Sequence, residues 1–399
     1  MKKINTPSSE KKAQRKKPTA NVSREVYARA AGRCLICHRH LLEAEDLGQY
    51  AYNMGEMAHI VGQSLDPKSA RSADTLAKDL RDEADNFMLL CRVCHDNIDA
   101  LVPREDFTVT WLRNRKEDQE AHIKHVTGLP QSHRTCVVRL VGAIRGKTVQ
   151  VVPAECNSAT LYHAVPRFAF YPLVYGRQEV EFDLVKLGDP ETNPGYWEQA
   201  QHQIQMQLTQ IRMGVEQGEI EHLSVFAFAR IPLLVYFGFA LGNKVGATLY
   251  QRRRVEDKPW HWLADESSAQ QFEWECLQVG TDKQRVALLL NISGTIQIDE
   301  LPEEFNASYS IFVIRPSGID PQPDVLLSEA SFNVFRACYR RWLAHWETKH
   351  KAARRIHVFA AVPAAVAVAI GADLMPHTQP ELVIYDRIPR EFKLALTIN

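Results

Sequence analysis

The 399-residue sequence lacks an excess of either charge, because 48 lysine and arginine residues balance 48 aspartate and glutamate residues. It therefore has no overall electrostatic field that would draw the whole protein to nucleic acid. It also lacks an uninterrupted apolar stretch of about twenty residues, the length of a membrane-spanning helix. Of its two most apolar segments, 225–242 contains Arg230 and Pro232, and 357–372 is short and rich in alanine. We therefore expect no membrane contact.

Signals for secretion and for a dinucleotide cofactor are also missing. No apolar segment follows the basic residues at the start of the sequence, so no secretory signal is expected. Of the eight cysteines, four form two Cys-x-x-Cys pairs and four are scattered, which is unlike a disulfide framework. Both features predict a cytoplasmic protein. The Gly-x-Gly-x-x-Gly pattern that binds dinucleotides is absent as well.

Composition divides the chain into four parts. Residues 1–21 form a predicted flexible tail with seven basic residues and one acidic residue, which either contacts phosphates or is simply solvated. Residues 22–126 form a predicted first domain. Residues 127–134 contain Gly, Pro and Ser without periodicity, as a linker does. Residues 135–399 form a predicted second domain.

Helix and strand patterns alternate in the first domain, and glycine and proline mark their ends. The predicted elements are a helix at 22–31 ended by Gly32, strands at 55–61 and 86–90, a short helix around 74–84, a helix from Cys94, and a helix that starts at Pro103, includes Phe107 and stops near Gly128.

Two Cys-x-x-Cys pairs dominate the first domain. Four thiolates satisfy a tetrahedral zinc ion completely, so the zinc they predict is structural and does not need the nearby histidines. Those histidines are then available for chemistry. His59 ends a predicted strand and is suited to act as a general base on water, and His95 directly follows the second pair. The four predicted zinc ligands are Cys34, Cys37, Cys91 and Cys94.

Residues 24–100 resemble the HNH endonuclease family, an α+β class with a ββα-metal fold. The family's first His, middle Asn and last His fall on His59, Asn86 and His95. The resemblance implies that His59 is the general base, that Asn86 holds the loop that orients it, and that His95 binds a catalytic divalent cation such as Mg²⁺. It also implies double-stranded DNA as the substrate.

The chain departs from the family pattern at the residue before the first histidine. Many members have an acidic metal ligand there, and this sequence has Ala58. Glu56 is two residues earlier, and its side chain points to the same face of a strand, so we expect it to replace the missing ligand. Asp99 is an alternative. In a competing interpretation, His59 and His95 are structural and the zinc module binds nucleic acid without cutting it.

The second domain contains an internal repeat. Each copy reads as an apolar strand, a long amphipathic helix, a second apolar strand, a helix preceded by proline, a glycine stop and a third strand. The copies cover about 135–275 and 280–399, with Gly242 and Gly371 as the stops. Continuous apolar strands that alternate with helices predict an α/β fold with a parallel sheet in each half.

The repeat resembles the SAVED domain, a fusion of two CARF-like (Rossmann-like) halves that senses cyclic nucleotides in bacterial CBASS antiphage systems. The resemblance is carried by His357–Gly371 and the Val383–Asp386 strand. It implies a nuclease that stays idle until a cyclic oligonucleotide, made by a partner cyclase, binds the second domain, and that assembles into homo-oligomers on activation. Two similar halves suit a cyclic dinucleotide of near two-fold symmetry, such as a cGAMP-like molecule. A cyclic trinucleotide and a linear oligoadenylate remain alternatives.

Ligand-binding residues are expected at strand-to-helix turns, where helix N-termini favour phosphates. Aromatic residues that stack on bases are further candidates, although packing in the core or in a subunit interface is the more common reason for such residues. The run 252–254 consists of three arginines that either reach phosphates or form a solvated face. The candidates are Arg230, Ile231, Pro232, Val362, Pro363, Trp260, Trp262 and Trp274.

Overall fold

The computed structural model describes residues 18–44, 51–66, 69–100, 106–128, 133–171, 180–254, 257–263, 269–376, 378–389 and 391–398. The chain forms two compact units, Met1–Pro130 and Gln131–Asn399. Most of the predicted basic tail and half of the predicted linker lie outside the described residues. Within the described residues, no helix is long and apolar enough to cross a bilayer.

The first unit is built from short strands and three helices within its described residues. Its elements are α1 (Ala20–Arg29), β1 (Leu42–Ala44), β2 (Ala51–Asn53), β3 (Gly55–His59), β4 (Phe87–Cys91), α2 (Arg92–Asp99) and α3 (Val109–Thr127). Strands β1 and β2 pair antiparallel, as do β3 and β4. All five residues of β4 are buried, which explains its continuous apolar sequence.

Two details of the first unit differ from the sequence-based expectation. The insertion between β3 and β4 contains 3-10 turns at Lys78–Asp82 and Ala84–Asn86, and no α-helix is described there. The helix expected to include Phe107 begins later, because the Thr108 side chain accepts a hydrogen bond from the Trp111 N–H at 3.1 Å and caps α3. Pro103 lies outside the described residues.

The first half of the second unit is a parallel sheet with helices between its strands. Its elements are β5 (Arg134–Val141), α4 (Pro153–Leu161), β6 (Phe168–Phe170), β7 (Val180–Asp183), α5 (Tyr196–Glu216), β8 (His222–Phe228), α6 (Ile231–Leu241) and β9 (Gly246–Tyr250). The strand order is β6-β5-β8-β9, and β7 also pairs with β5. All these pairs are parallel, as the sequence predicted.

The second half repeats this plan with antiparallel strands added at both edges. Its elements are β10 (Phe272–Gln278), β11 (Val286–Asn291), β12 (Ser310–Pro316), α7 (Glu329–Lys349), β13 (Arg355–Ala361), α8 (Ala364–Ala372), β14 (Glu381–Arg387) and β15 (Phe392–Ile398). The order is β10-β12-β11-β13-β14-β15. The four inner strands are parallel, and β10 and β15 run antiparallel to their neighbours.

Helices α6 and α8, one from each half, pack against each other through glycines. A Cβ on Gly238 would lie 1.9 Å from the Val368 carbonyl oxygen, and one on Gly371 would lie 1.9 Å from the Val235 carbonyl oxygen. The contact is reciprocal, as expected for two halves related by an approximate two-fold axis. The expectation that Gly371 ends its helix is wrong, because α8 continues to Ala372 and Gly371 is needed for close packing. Gly242 does end α6, with a φ of 68°.

Candidate functional site

The first candidate site is the cluster of four cysteines in the first unit. Cys34 and Cys37 lie on a turn closed by a hydrogen bond from the His38 N–H to the Cys34 carbonyl at 2.9 Å. Cys91 ends β4 and Cys94 lies in the first turn of α2. The four Sγ atoms all lie within 4.8 Å of one another. Tetrahedral zinc with Zn–S bonds of about 2.3 Å places its sulfurs about 3.8 Å apart.

The chemistry of these thiols also fits a metal ion. The Sγ atoms of Cys37 and Cys91 are 3.7 Å apart, close to the spacing that zinc requires. Burial, and then the neighbouring Cys91 thiol, raises the pKa of Cys94. Thiols packed this closely resist deprotonation unless a cation compensates their charge. The cluster therefore can hold a metal such as zinc, bound by four thiolates.

His59 ends β3 beside the insertion. Its ring packs on Phe87, with ring centroids 4.2 Å apart, and its Nε2 lies 3.5 Å from Oδ1 of Asp82. Asp82 also accepts a hydrogen bond from Nε2 of Gln63 at 3.0 Å. The His59 side chain is 24% exposed. The Nε2 atom that faces Asp82 is itself buried, so the exposed part of the His59 side chain lies elsewhere on the residue.

Asn86 is buried at the end of a 3-10 turn, directly before β4. Its side-chain oxygen accepts from the Val61 N–H at 2.9 Å, and its amide donates to the Val61 carbonyl at 2.8 Å and the Arg81 carbonyl at 2.8 Å. This paired contact holds the backbone that follows His59. Asn86 therefore contacts the loop that follows His59, and its role in orienting His59 remains a prediction.

His95 lies on α2 between two carboxylates. Its Nδ1 is 2.7 Å from Oε2 of Glu56, and its Nε2 is 3.5 Å from Oδ2 of Asp99. Hydrogen bonding to Asp99, followed by that to Glu56, raises the pKa of His95 against the opposing effect of burial. Ala58 is fully buried and offers no ligand atom. Both replacements considered from the sequence, Glu56 and Asp99, therefore lie next to His95.

Three residues around this site were not predicted from the sequence. Asp82 faces His59, and Arg71 and Arg81 are the buried cations of the insertion. The Arg81 side chain donates to carbonyls of Gly62, Leu76, Ser72 and Asp74. No motif marks these residues, since their partners are mainly backbone carbonyls of an irregular loop.

The second candidate site is a cavity of about 540 Å³ in the second unit. In the first half, β5 and β8 are neighbours, and the chain continues from β5 toward one edge of the sheet and from β8 toward the other edge. In the second half, the neighbouring strands β11 and β13 show the same divergence. Such switch points are where open α/β sheets bind ligands. The cavity is lined by residues that follow all four strands, including Arg145, Ala229, Ser293 and Val362.

A larger depression of about 940 Å³ lies along the second half alone. It follows the ends of β11 and β12 and contains the exposed ion pair between Arg315 and Glu273, whose Nε–Oε1 distance is 3.3 Å. We favour the smaller cavity as the ligand site, because both halves and both switch points contribute to it.

The predicted ligand residues divide into two groups. Arg230, Ile231, Val362 and Pro363 line the cavity, at the turns from β8 to α6 and from β13 to α8. Pro232 is buried in α6 and is not part of the lining.

None of the three tryptophans lines the cavity, because each packs against aromatic side chains elsewhere in the second unit. The ring pairs are Trp260 with Phe226 at 5.3 Å, Trp262 with Phe332 at 5.8 Å and Trp274 with His345 at 4.6 Å between centroids.

Arg230 is engaged by carboxylates. Its side chain is 3% exposed and donates to Asp386 at 2.5 Å, Asp189 at 2.8 Å and Glu191 at 3.1 Å. Despite the opposing effect of burial, these contacts raise the pKa of Arg230, and burial raises the pKa of Asp386. Because Asp386 belongs to the second half, the network joins the two halves beside the cavity.

Further arginines from both halves supply the remaining positive charge of the cavity; three of them are exposed, and Arg252 is half-buried. Those of the first half are Arg145, Arg252 and Arg254, and Arg387 comes from the second half. Of these four arginines, only the two in the run 252–254 were candidates from the sequence. Gln251 also lines the cavity, and its side chain accepts a hydrogen bond from the Ala365 N–H at 3.0 Å, at the start of α8. The arrangement is suited to an anionic ligand that spans both halves.

We compared the chain with known proteins. No curated protein matches the chain. The solved structures that it resembles include the Acinetobacter baumannii Cap4 SAVED/CARF-domain containing receptor with the cyclic trinucleotide 2'3'3'-cAAA (12% identity, TM-score 0.42) and with 3'3'3'-cAAA (11% identity, TM-score 0.44). A third is the Moraxella osloensis Cap4 receptor, at 11% identity and a TM-score of 0.41.

The alignments with the two Acinetobacter structures cover 77% of this chain and 61% of those chains. The chain therefore spans less than two thirds of the length of these relatives. The match to a family model is more specific: residues 204–398 match SAVED, described as "SMODS-associated and fused to various effectors sensor domain". The second unit of this protein thus contains a SAVED domain.

Proposed function

We propose that the SAVED domain binds a cyclic oligonucleotide in the cavity between its two halves. The observation that carries this proposal is the convergence of two switch points and of four arginines besides Arg230 on one cavity of about 540 Å³. This volume lies within the range of about 300–1,000 Å³ that is typical of small-molecule sites. The approximate two-fold relation of the halves favours a cyclic dinucleotide with the same symmetry, such as a cGAMP-like molecule.

We propose further that the first unit is an HNH-type DNA endonuclease that the bound nucleotide activates. His59 lies on β3, Asn86 lies next to β4, and His95 lies on α2. This order of elements supports the proposal, because it is the order expected for this family. The four cysteines hold a structural zinc that fixes the start of α2. Glu56, His95 and Asp99 offer oxygen and nitrogen ligands of the kind that hold a catalytic divalent cation.

In this mechanism, His59 removes a proton from the attacking water, and Asn86 keeps the backbone after His59 in place. The His59 side chain is partly exposed, and the Nε2 atom that faces Asp82 is itself buried. Glu56 and Asp99 keep the His95 ring in a fixed orientation. A divalent cation bound there would stabilise charge that develops on the phosphodiester.

The proposed role is that of a bacterial antiphage effector in the cytoplasm. A separate nucleotide cyclase would make the activator, and activation would assemble the protein into homo-oligomers that cut double-stranded DNA.

A cleavage assay tests the nuclease proposal. Full-length protein is incubated with plasmid DNA and Mg²⁺, alone or with 3'3'-cGAMP or 3'3'3'-cAAA. We expect cleavage only when a cyclic oligonucleotide is present, and none with His59→Ala. If DNA is bound but not cut with any divalent cation or nucleotide, the first unit is a zinc module that binds DNA as a regulator, and the nuclease proposal is wrong.

A thermal-shift assay tests the sensor separately. A nucleotide at about a hundredfold over its dissociation constant adds roughly 2.7 kcal/mol of stability to the folded domain. We expect a shift with 3'3'-cGAMP that exceeds the shift with 3'3'3'-cAAA. The reverse order would identify a trinucleotide sensor, and no shift with either, or with linear oligoadenylate, would contradict the sensor proposal.

A further inference from the structure

Arg71 lies in the insertion between β3 and β4, and its side chain is 7% exposed. Its Nε donates to the Ile60 carbonyl at 2.6 Å, and its Nη2 donates to the His59 carbonyl at 3.2 Å. The same guanidinium reaches the end of α2, where Nη1 donates to the Ile98 carbonyl at 2.7 Å and Nη2 to Oδ1 of Asp99 at 3.0 Å. One side chain therefore connects the end of β3 to the end of α2.

These two elements carry the residues of the proposed chemistry. His59 is the last residue of β3, and His95 and Asp99 lie on α2. A guanidinium is a rigid planar group with five N–H donors, so it fixes the relative position of all the acceptors it binds. Since Arg71 holds Oδ1 of Asp99, the other oxygen, Oδ2, is left facing Nε2 of His95 at 3.5 Å.

The backbone of Arg71 supports a role for its side chain. Its φ is 54°, in the left-handed region that glycine adopts without steric cost. A non-glycine residue persists there where the surrounding structure compensates for the strain. If position 71 needed only to form a turn, glycine would adopt this conformation at lower cost. The hydrogen bonds of the guanidinium therefore explain why arginine occupies this position.

We propose that Arg71 is a positioning residue for the nuclease site, which rests on the proposed function of the first unit. It sets the separation between His59 and the His95–Asp99 pair and fixes the orientation of the Asp99 carboxylate. Lysine preserves the charge of Arg71 but cannot make the four contacts at once. Partners that orient metal ligands typically affect metal affinity or activity by about 10- to 100-fold when they are replaced.

The matched control is Arg81, a second buried arginine of the same insertion. It donates to backbone carbonyls within 62–76, and none of its hydrogen bonds reaches β3 or α2. Arg81→Lys therefore removes a comparable guanidinium and loosens the insertion without releasing Asp99. Both variants are made in the full-length protein with the four cysteines intact.

Three measurements are made on wild type, Arg71→Lys and Arg81→Lys. These are the dissociation constant for Mn²⁺ by calorimetry, plasmid cleavage across a Mn²⁺ titration with 3'3'-cGAMP and 3'3'3'-cAAA present, and the thermal midpoint. We expect Arg71→Lys to weaken Mn²⁺ binding and to slow cleavage by about 10- to 100-fold. We expect Arg81→Lys to lower the thermal midpoint and to leave the Mn²⁺ dissociation constant unchanged.

Two results would overturn the role of Arg71. Either Arg71→Lys binds Mn²⁺ and cleaves DNA like the wild type, or both variants change Mn²⁺ binding and cleavage to the same extent. If wild-type protein binds Mn²⁺ without cutting DNA, only the nuclease proposal is refuted. The Mn²⁺ dissociation constants of wild type and the two variants still test the role of Arg71 in that case. Wild-type protein that neither binds Mn²⁺ nor cuts would overturn both.

Discussion

Alanine at Gly371 should destabilise the second unit and weaken its ligand site. The new Cβ would lie 1.9 Å from the Val235 carbonyl oxygen and 2.6 Å from the Phe239 nitrogen. Both atoms belong to the backbone of α6, so no side-chain rotation relieves the overlap. Helices α6 and α8 would have to move apart, and both begin at turns that line the cavity.

The magnitude follows from two opposing effects. An ordinary contact begins at 3.4 Å, so the helices must separate by up to 1.5 Å (3.4 minus 1.9) at this point. Overpacking a core usually costs about 1–3 kcal/mol, and a backbone contact belongs at the upper end. Alanine regains at most about 1 kcal/mol through its higher helix propensity. We therefore expect a net loss of about 2 kcal/mol, or roughly 4–8 °C in thermal midpoint for a unit of this size.

Urea unfolding and nucleotide binding of Gly371→Ala measure this effect, with Gly238→Ala as the reciprocal variant. The control is Gly214→Ala in α5, where the Cβ would lie 2.8 Å from Cδ1 of Ile220, the flexible end of a side chain. That contact can relax, so the control should stay within about 1 kcal/mol of wild type. If Gly371→Ala were as stable as the wild type, close packing of α6 and α8 would not be the reason for the glycines.

Three further predictions concern the zinc cluster, a buried histidine and the cavity arginines. Cys94→Ser should lose stoichiometric zinc, measured by elemental analysis, and the first unit should unfold at a lower temperature; retained zinc with unchanged stability would contradict a four-thiolate site. Burial lowers the pKa of His222 from 6.5 to about 4. The unfolded chain therefore takes up this proton first, so stability should fall as the pH drops from about 6.5 to 4, and His222→Gln should flatten that part of a urea-denaturation series. An equally steep loss in the variant would assign the pH dependence to other groups. Arg252→Gln should weaken 3'3'-cGAMP binding by about 10- to 100-fold, as expected for a hydrogen bond to a charged group, and should reduce its salt dependence. Binding with the salt dependence of wild type would show that Arg252 does not contact phosphate.

Local sequence patterns predicted much of the secondary structure. The apolar runs that lead into Pro232 and Pro363 become the parallel strands β8 and β13, each followed by a helix, because burial on both faces requires continuous apolar strands. The two Cys-x-x-Cys pairs are brought together as expected. The roles of His59, Asn86 and His95 remain predictions, although their positions suit them.

The errors share a physical cause, which is that the same residue type serves different purposes in different tertiary surroundings. Trp260 can stack on a base or fill a core, and it is fully buried in a core. Gly371 can end a helix or allow close helix packing, and it does the latter. Arg230 lines the cavity, where its guanidinium also joins three carboxylates from distant parts of the chain, and its contact with a ligand remains a prediction.

The sequence by itself determined many of the main helices and strands, that four thiols gather, and that the second unit repeats. Spacing and hydrophobic periodicity are local properties, and local backbone geometry follows from them. Only the tertiary structure decided which side chains share a site. The cavity is made where two switch points meet, and Arg71 joins β3 to α2 through backbone carbonyls that have no sequence signature. Contacts of this kind depend on how distant segments of the chain are placed in space. The spacing of residues along the chain does not predict that placement.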